Sequence, residues 1–340
     1  MMKSHKLAIP AVAAALALAL AGCAGDGGSG NVPANEENPT IRIIGIGVPD
    51  FTAVDVQKWQ ENLVADGFRV DFKTVEKEDA ALRAVVAGAA DMYIGSLPSM
   101  MTAIENAAAP VELIAVNAQS TSYVVLSDLS IDTIDDLAGA TIGVNTPGSA
   151  GDTIMKLALE AEGFDTTQPE YVVIGGSNAR VAALQAGQVQ ATVAHIGLAE
   201  SAIATGDFKA LLYAGPALGP YIQTGLIAST AYTEGQPDAT QRVVDALIEA
   251  QRWAASDKEE YLALSYTMDS ETDDVVRNNT YDALLAQDFW ATNGGLDAEA
   301  VDNWLSISLE AGDISSSSPE KSEWLNDQFV TRYLEQNGRN

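Results

Sequence analysis

A few residues of this sequence have chemistry to offer. The stretch Asp136–Asp152 reads as a turn closed by Gly139, a short strand from Thr141 to Val144, a loop of small residues, and a helix from about Asp152. Small side chains there leave the backbone N–H groups of Gly148, Ser149 and Ala150 uncovered. A helix N-terminus gathers partial positive charge, so the loop can hold an anionic or carbonyl oxygen. Ser149 and Asp152 fit equally well as caps of that helix. His195 and His5 are the two histidines of the chain. His195 lies just past a strand end, where an imidazole serves either a ligand or a structural hydrogen bond. Arg180, near a helix start, can meet a carboxylate or sulfonate, or turn to an acidic surface. Phe51 suits stacking on a planar ligand or stapling onto its own helix. Tyr123 and Tyr221 can donate to a ligand or pack a hinge, and Ser96 can contact a ligand or close a turn.

These residues must be positioned by alternating strands and helices, the pattern of an α/β protein. Strands are expected at Ile41–Ile46, Phe68–Val75, Met92–Gly95, Glu112–Val116 and Tyr123–Leu126, with helices at Val54–Ala65 and Asp79–Ala87. A second series repeats the plan. A short helix at Ile131–Leu137 leads into strands at Thr141–Val144, Tyr171–Ile174, Ala191–Ala194 and Ala210–Tyr213, with helices at Thr153–Glu162, Asn178–Ala186 and Ala199–Thr205. Leu184–Gln190 echoes Val85–Asp91 between the two series. After a strand at Tyr221–Ala228 the chain turns helical, with Gln241–Ala255, Asp273–Phe289, Ala298–Leu309 and Glu320–Leu334 as its helices. Trp290, Trp304 and Trp324 read as packing residues.

The 340 residues suffice for two lobes, and 47% apolar content gives each a core. A net charge of −29, with only 18 Lys and Arg, argues against nucleic acid or an anionic membrane surface as partner. Residues 1–23 read as an export signal. Lys3 and Lys6 precede an apolar run from Leu7 to Leu20, which is short for a bilayer span. The run ends Leu20-Ala21-Gly22-Cys23, and Cys23 is the single cysteine. Beyond it there is no thiol nucleophile, no intrachain disulfide and no Cys-based zinc site. Residues 24–39, rich in Gly, Ser, Asn and Glu, read as a flexible tether.

Four stretches carry a family resemblance: Val48-Pro49-Asp50-Phe51; Ala81-Leu82 through Gly88 to Asp91; Ile131 through Asp136-Leu137 and Gly139 to Gly148-Ser149; and Ala183-Leu184 through Ala186-Gly187 to Val189. The chain resembles solute-binding proteins of ATP-driven importers, in the nitrate/sulfonate/taurine and thiamine-precursor branch. The end of the export signal is similar to a bacterial lipoprotein signal, in which the thiol of Cys23 becomes lipid-modified. The resemblance implies an α/β, two-lobed type II periplasmic-binding fold with two crossovers and a helical C-terminal segment. Lobe 1 would be 40–125 plus 222–340 and lobe 2 would be 126–221, with crossovers near Ser122–Leu126 and Gly219–Gly225.

A ligand would then sit between the lobes, on loops after the strands. The implied contacts are Pro49, Asp50, Phe51, Ser96, Leu97, Tyr123, Gly148, Ser149, Ala150, Asn178, His195 and Tyr221. The wider lining includes Asn117–Tyr123, Thr146–Ala150, Ser177-Asn178 and His195-Ile196. No metal or cofactor is implied. The implied partners are a small organic solute, anionic or aromatic, and a permease with its ATPase. A membrane is reached through the lipid on Cys23, and the protein is expected as a monomer at the outer face of the cell membrane or in the periplasm. Gln190 departs from the pattern, standing where an aspartate is usual, and altered packing or lobe contact is the expected result.

Two other classes share these features. One is an enzyme on the same fold acting on a small organic acid or pyrimidine. A pyrimidine synthase of that kind would bring a cysteine-rich motif, and the chain has no cysteine after Cys23. It also has no nucleophile elbow, no His-Glu-x-x-His helix and no phosphate loop ending in Lys-Ser or Lys-Thr. The pair Gly45-x-Gly47 is a weak dinucleotide signal, because Pro49 interrupts the turn. The other class is a lipoprotein sensor using the same closure.

Overall fold

The computed structural model describes residues 39–47, 51–315 and 318–340. The export signal with Cys23, most of the tether, and two of the expected ligand contacts, Pro49 and Asp50, lie outside the described residues.

The first series runs β1 (Thr40–Ile46), α1 (Val54–Ala65), β2 (Arg69–Val75), α2 (Glu78–Val86), β3 (Met92–Gly95), α3 (Leu97–Ala107) and β4 (Val111–Ala118). The second runs β5 (Tyr123–Asp128), β6 (Thr141–Val144), α4 (Ala150–Ala161), β7 (Glu170–Val173), α5 (Ser177–Gln185), β8 (Ala191–His195), α6 (Ile196–Ile203), β9 (Phe208–Tyr213) and α7 (Ala214–Leu218). The chain then forms β10 (Thr224–Ser229), α8 (Thr230–Gly235), α9 (Pro237–Ser256), α10 (Lys258–Met268), α11 (Asp274–Ala286), α12 (Ala298–Ala311) and α13 (Gln328–Asn337).

Two five-stranded sheets result, ordered β2-β1-β3-β10-β4 and β7-β6-β8-β5-β9. In each, four strands are parallel, and one strand from the other half of the sequence is inserted antiparallel. That strand is β10 in the first sheet and β5 in the second. The insertion aligns the C-terminal ends of β1 to β4 with the start of β10, and those of β6 to β9 with the start of β5. Both connections between the sheets therefore leave from these edges. They are residues 119–122 and 219–223, and they bond to each other, Tyr221 N–H to Gln119 O at 3.1 Å and Gln223 N–H to Ala118 O at 2.9 Å. The first connection is shorter and earlier than expected, because Tyr123–Leu126 already pairs with β8 and β9. The second delays the expected strand at Tyr221 until Thr224.

The two sheets share construction details. Asp91 accepts the Arg42 N–H of β1 at 2.8 Å, and Gln190 accepts the Thr141 N–H of β6 through Oε1 at 2.9 Å. Gln190 thus keeps the bond between strand starts that Asp91 makes in the first sheet. It gives up the ion pair that Asp91 makes with Arg42.

Trp59 of α1 is fully buried and donates Nε1–H to Val243 O of α9 at 3.0 Å, clamping two helices onto the first sheet. Trp290, Trp304 and Trp324 are also buried, as packing residues. A helix expected over Glu320–Leu334 is interrupted. Trp324 O accepts Leu113 N–H at 2.7 Å and Asn326 N–H reaches Leu113 O at 2.9 Å, so Leu325 bridges to β4 as a parallel partner. An open sheet edge outcompetes the helix there. No helix among the described residues is long and apolar enough to cross a membrane.

Candidate functional site

The strand ends that carry the expected contacts border two cavities that share Thr52. One, of about 470 Å³, lies between the sheets, lined by Phe51 and Thr52 after β1, Ser122 of the connection, and Asn178, His195 and Gly197 on α5, β8 and α6. The other, of about 400 Å³, lies at the end of the first sheet, lined among others by Thr74, Glu78, Ser96, Asn117, Gln223 and Thr224.

In the first cavity His195 ends β8 and is exposed. Its Nδ1 lies 2.9 Å from Ser122 Oγ, and its ring stacks on Tyr123, centroids 4.4 Å apart and planes at 26°. Antiparallel pairing of Tyr123 with His195 across β5 and β8 brings the rings together. Burial raises the Tyr123 hydroxyl above its ordinary pKa, partly offset by Arg180, and keeps the phenol protonated. Phe51 is buried against α6. A Cβ placed on Gly197 would lie 3.1 Å from Phe51 Cζ and 3.2 Å from Thr52 Cγ2, so the absent side chain is what lets the two sides meet. The guanidinium carbon of Arg277, on α11, stands over the Phe51 ring, 5.4 Å from its centroid.

In the second cavity Glu78 opens α2 and reaches the start of α3. It accepts Ser96 N–H, and its Oε2 accepts Ser96 Oγ and Ser99 Oγ, both at 2.8 Å. Asn117, 8% exposed, donates Nδ2–H to Thr224 Oγ1 at 3.4 Å. Its Oδ1 and the Oε1 of Gln223 are buried with no hydrogen-bond partner. Beneath them Gln251 of α9 donates to Val116 O at 3.1 Å and Asn117 O at 2.7 Å, fixing the end of β4.

Phe51, Asn178 and His195 are thus brought together on one cavity, Tyr123 stacks at its side, and Ser96 lies on the other cavity. The other expected contacts among the described residues lie away from both cavities. Leu97 is fully buried in the core packed against β10 and lines neither cavity, because it is the first residue of α3 and turns inward. Tyr221 is also in the core, and burial pushes its hydroxyl pKa up. Two of the three N–H groups expected to be uncovered before α4, those of Gly148 and Ser149, are engaged. Gly148 N–H meets Asp152 Oδ2 at 2.8 Å and Ser149 N–H meets Thr146 O at 3.0 Å. Asp152 lies inside α4, paired with Lys156 at 3.0 Å, so the chain's own carboxylate fills the place assigned to an anionic ligand. Residues 148–150 line neither cavity.

Arg180 does not reach the surface. It is 3% exposed, and its Nε and Nη2 donate to Val193 O at 3.1 and 2.8 Å, with Gly175 O and Ser177 Oγ as further acceptors. Burial lowers its pKa.

Sequence reasoning missed Glu78, whose place in a first helical turn reads as dipole compensation. It also missed Leu284 of α11 and Phe289 in the loop after it, which line the first cavity. Among the described residues no group of three or more His, Cys, Asp and Glu is arranged to hold a metal ion.

Two sheets of like order, facing through the C-terminal ends of their strands with cavities at those ends, define a two-lobed cleft protein. The chain belongs to the family described as NMT1/THI5 like, whose model matches residues 51–261. In fold it is similar to the periplasmic sulfonate-binding protein SsuA of Methylobacillus flagellatus KT, at 18% identity and a TM-score of 0.70 over 89% of this chain and 96% of that one. The aliphatic sulphonate binding protein SsuA of Escherichia coli matches at 20% identity and a TM-score of 0.59 over 72% of this chain and 83% of that one. The desulfurization enzyme DSZB shares the fold at 17% identity and a TM-score of 0.61, over 88% of this chain and 99% of that one. No curated protein sequence matches the chain.

Proposed function

We propose that this protein is the extracytoplasmic solute-binding component of an ATP-driven importer, capturing a small organic solute between two closing lobes. The observation that carries the reading is the meeting of Phe51 and Thr52, from the first sheet's side, with Gly197 of α6 across a cavity bounded by one of the two connections. Only a solute with more contacts in the closed than in the open arrangement shifts the balance between them. The first lobe is 40–118 with β10 and the helices packed on it. The second is β5 to α7. Phe51, Asn178, His195 and Ser96 contact the solute, with Tyr123 as a wall. Export and a lipid on Cys23 would hold the protein at the membrane as a monomer, beside its permease and ATPase.

A panel of sulfonates, aromatic carboxylates, amines and heterocycles in a thermal-shift screen tests this reading. A true ligand at ~100 times its dissociation constant adds about 2.7 kcal/mol to stability. Conversion of a panel compound into product would favour the enzyme reading, which the fold shared with DSZB keeps in view.

A further inference from the structure

The second cavity has a charge character of its own. Among the described residues that line it, Glu78 is the one that bears a charge. Its carboxylate sits at the start of α3, a position that would otherwise attract an anion. Ser96 N–H, Ser96 Oγ and Ser99 Oγ already serve that carboxylate. An anionic ligand group arriving here finds the donors taken and a negative charge in their place.

The other polar atoms of the cavity agree. Asn117 Oδ1 and Gln223 Oε1 are acceptors without a donor, and Asn117 is more than nine-tenths buried. A buried acceptor left unpaired is costly, so these two oxygens call for a donor from outside the chain. Phe72, Ile46 and Ile94 supply an apolar wall for the body of such a molecule. The cationic side chains near the cleft are turned elsewhere. Arg180 spends its donors on Val193, Gly175 and Ser177, Arg277 donates to Ser265 Oγ and to the carbonyls of Asp269 and Thr272, and neither lines this cavity.

Building on the solute-binding reading, we infer that the cavity at Glu78, Asn117 and Gln223 is a subsite for a positively charged nitrogen group, an ammonium or amidinium carried on a small apolar body. The selectivity is therefore opposite in sign to that of the sulfonate-binding SsuA proteins. The nitrogen donates to Asn117 Oδ1 and Gln223 Oε1, and the carboxylate of Glu78 supplies the compensating charge.

The test uses four ring probes of similar size, benzamidine, benzyl alcohol, benzoate and benzenesulfonate, titrated calorimetrically into the full chain in detergent, at pH 7 and low salt. Benzamidinium is expected to bind at least ten-fold tighter than benzoate. E78Q, which keeps the shape of the side chain and one acceptor oxygen but removes the charge, should reduce that preference at least ten-fold. N117L should weaken benzamidinium while leaving benzoate unchanged. Melting curves of both variants confirm folding. Equal or tighter binding of either anion, or a preference untouched in E78Q and N117L, overturns the inference while leaving a solute-binding protein of ordinary anion selectivity. Absence of binding by all four probes at 10 mM concentration (about a hundred times a moderate 0.1 mM Kd) also overturns it, and the solute-binding reading is then decided separately by compaction with its own solute.

Discussion

Replacing Gly197 by leucine should impair ligand capture without unfolding the protein. A Cβ at this position already lies 3.1 Å from Phe51 Cζ and 3.2 Å from Thr52 Cγ2, tighter than ordinary van der Waals contact. Three further carbons must occupy the space where the two sides of the cleft meet. Overpacking of this kind costs about 1–3 kcal/mol, and the cost falls on the closed arrangement, since opening the cleft relieves it. At 1.4 kcal/mol per tenfold, apparent affinity falls about 5- to 140-fold. Residue 197 lies in the first turn of α6, where leucine is a better helix former than glycine by ~1 kcal/mol, so the stability of the ligand-free chain should hold or rise slightly. Calorimetric titration of the tightest solute from the screen gives the affinity, and urea unfolding gives the stability. Unchanged affinity in G197L would refute the idea that capture requires this contact. A large loss of stability with no solute present would place the contact in the ground state instead.

Asp55 offers a test of the scaffold next to the cleft. Burial pushes its carboxyl up to about 7, against the partial help of its own N–H and that of Val56 at the start of α1, and one carboxylate oxygen has no partner. The folded chain therefore holds this proton more tightly than the unfolded one, so its contribution is most favourable below pH ~4 and is lost as pH rises to ~7, by up to ~4 kcal/mol. The stability of D55N relative to the parent should thus climb between pH 4 and pH 8 in urea unfolding, and a flat difference would contradict it. Replacing Gln251 by leucine leaves the carbonyls of Val116 and Asn117 without their donor. A loss of about 1–3 kcal/mol is expected, together with weakened binding of solute at Asn117, and an unchanged urea midpoint would count against this support of the β4 end.

The sequence conveyed the order of strands well, since short apolar runs bounded by glycine mark β1, β3, β6 and β8 closely. It conveyed α3 poorly. Leu97–Ala107 mixes methionine, alanine and isoleucine without a clean polar face, and only Pro98 near its start signals a helix. The Glu320–Leu334 helix failed for a different reason, because the free edge of β4 was a better partner for Leu325 than continued helix, and an edge is visible only after the sheet has formed.

The site was legible to the extent that topology dictates it. Reading from strand C-termini led to Phe51, Asn178 and His195, which line one cavity, and Ser96, which lines the other. The charge of the site was not legible. Asp152 turns back on the loop before its own helix and Glu78 reaches across to the start of the next one, and this placement of a carboxylate depends on side-chain direction, which spacing does not report.

The most direct test of capture by closure pairs small-angle scattering with mass spectrometry of the solute after equilibrium dialysis. Binding should shrink the radius of gyration, and the solute should be recovered chemically unchanged. Turnover of the solute into product, or saturation of the site with no compaction, would contradict the account.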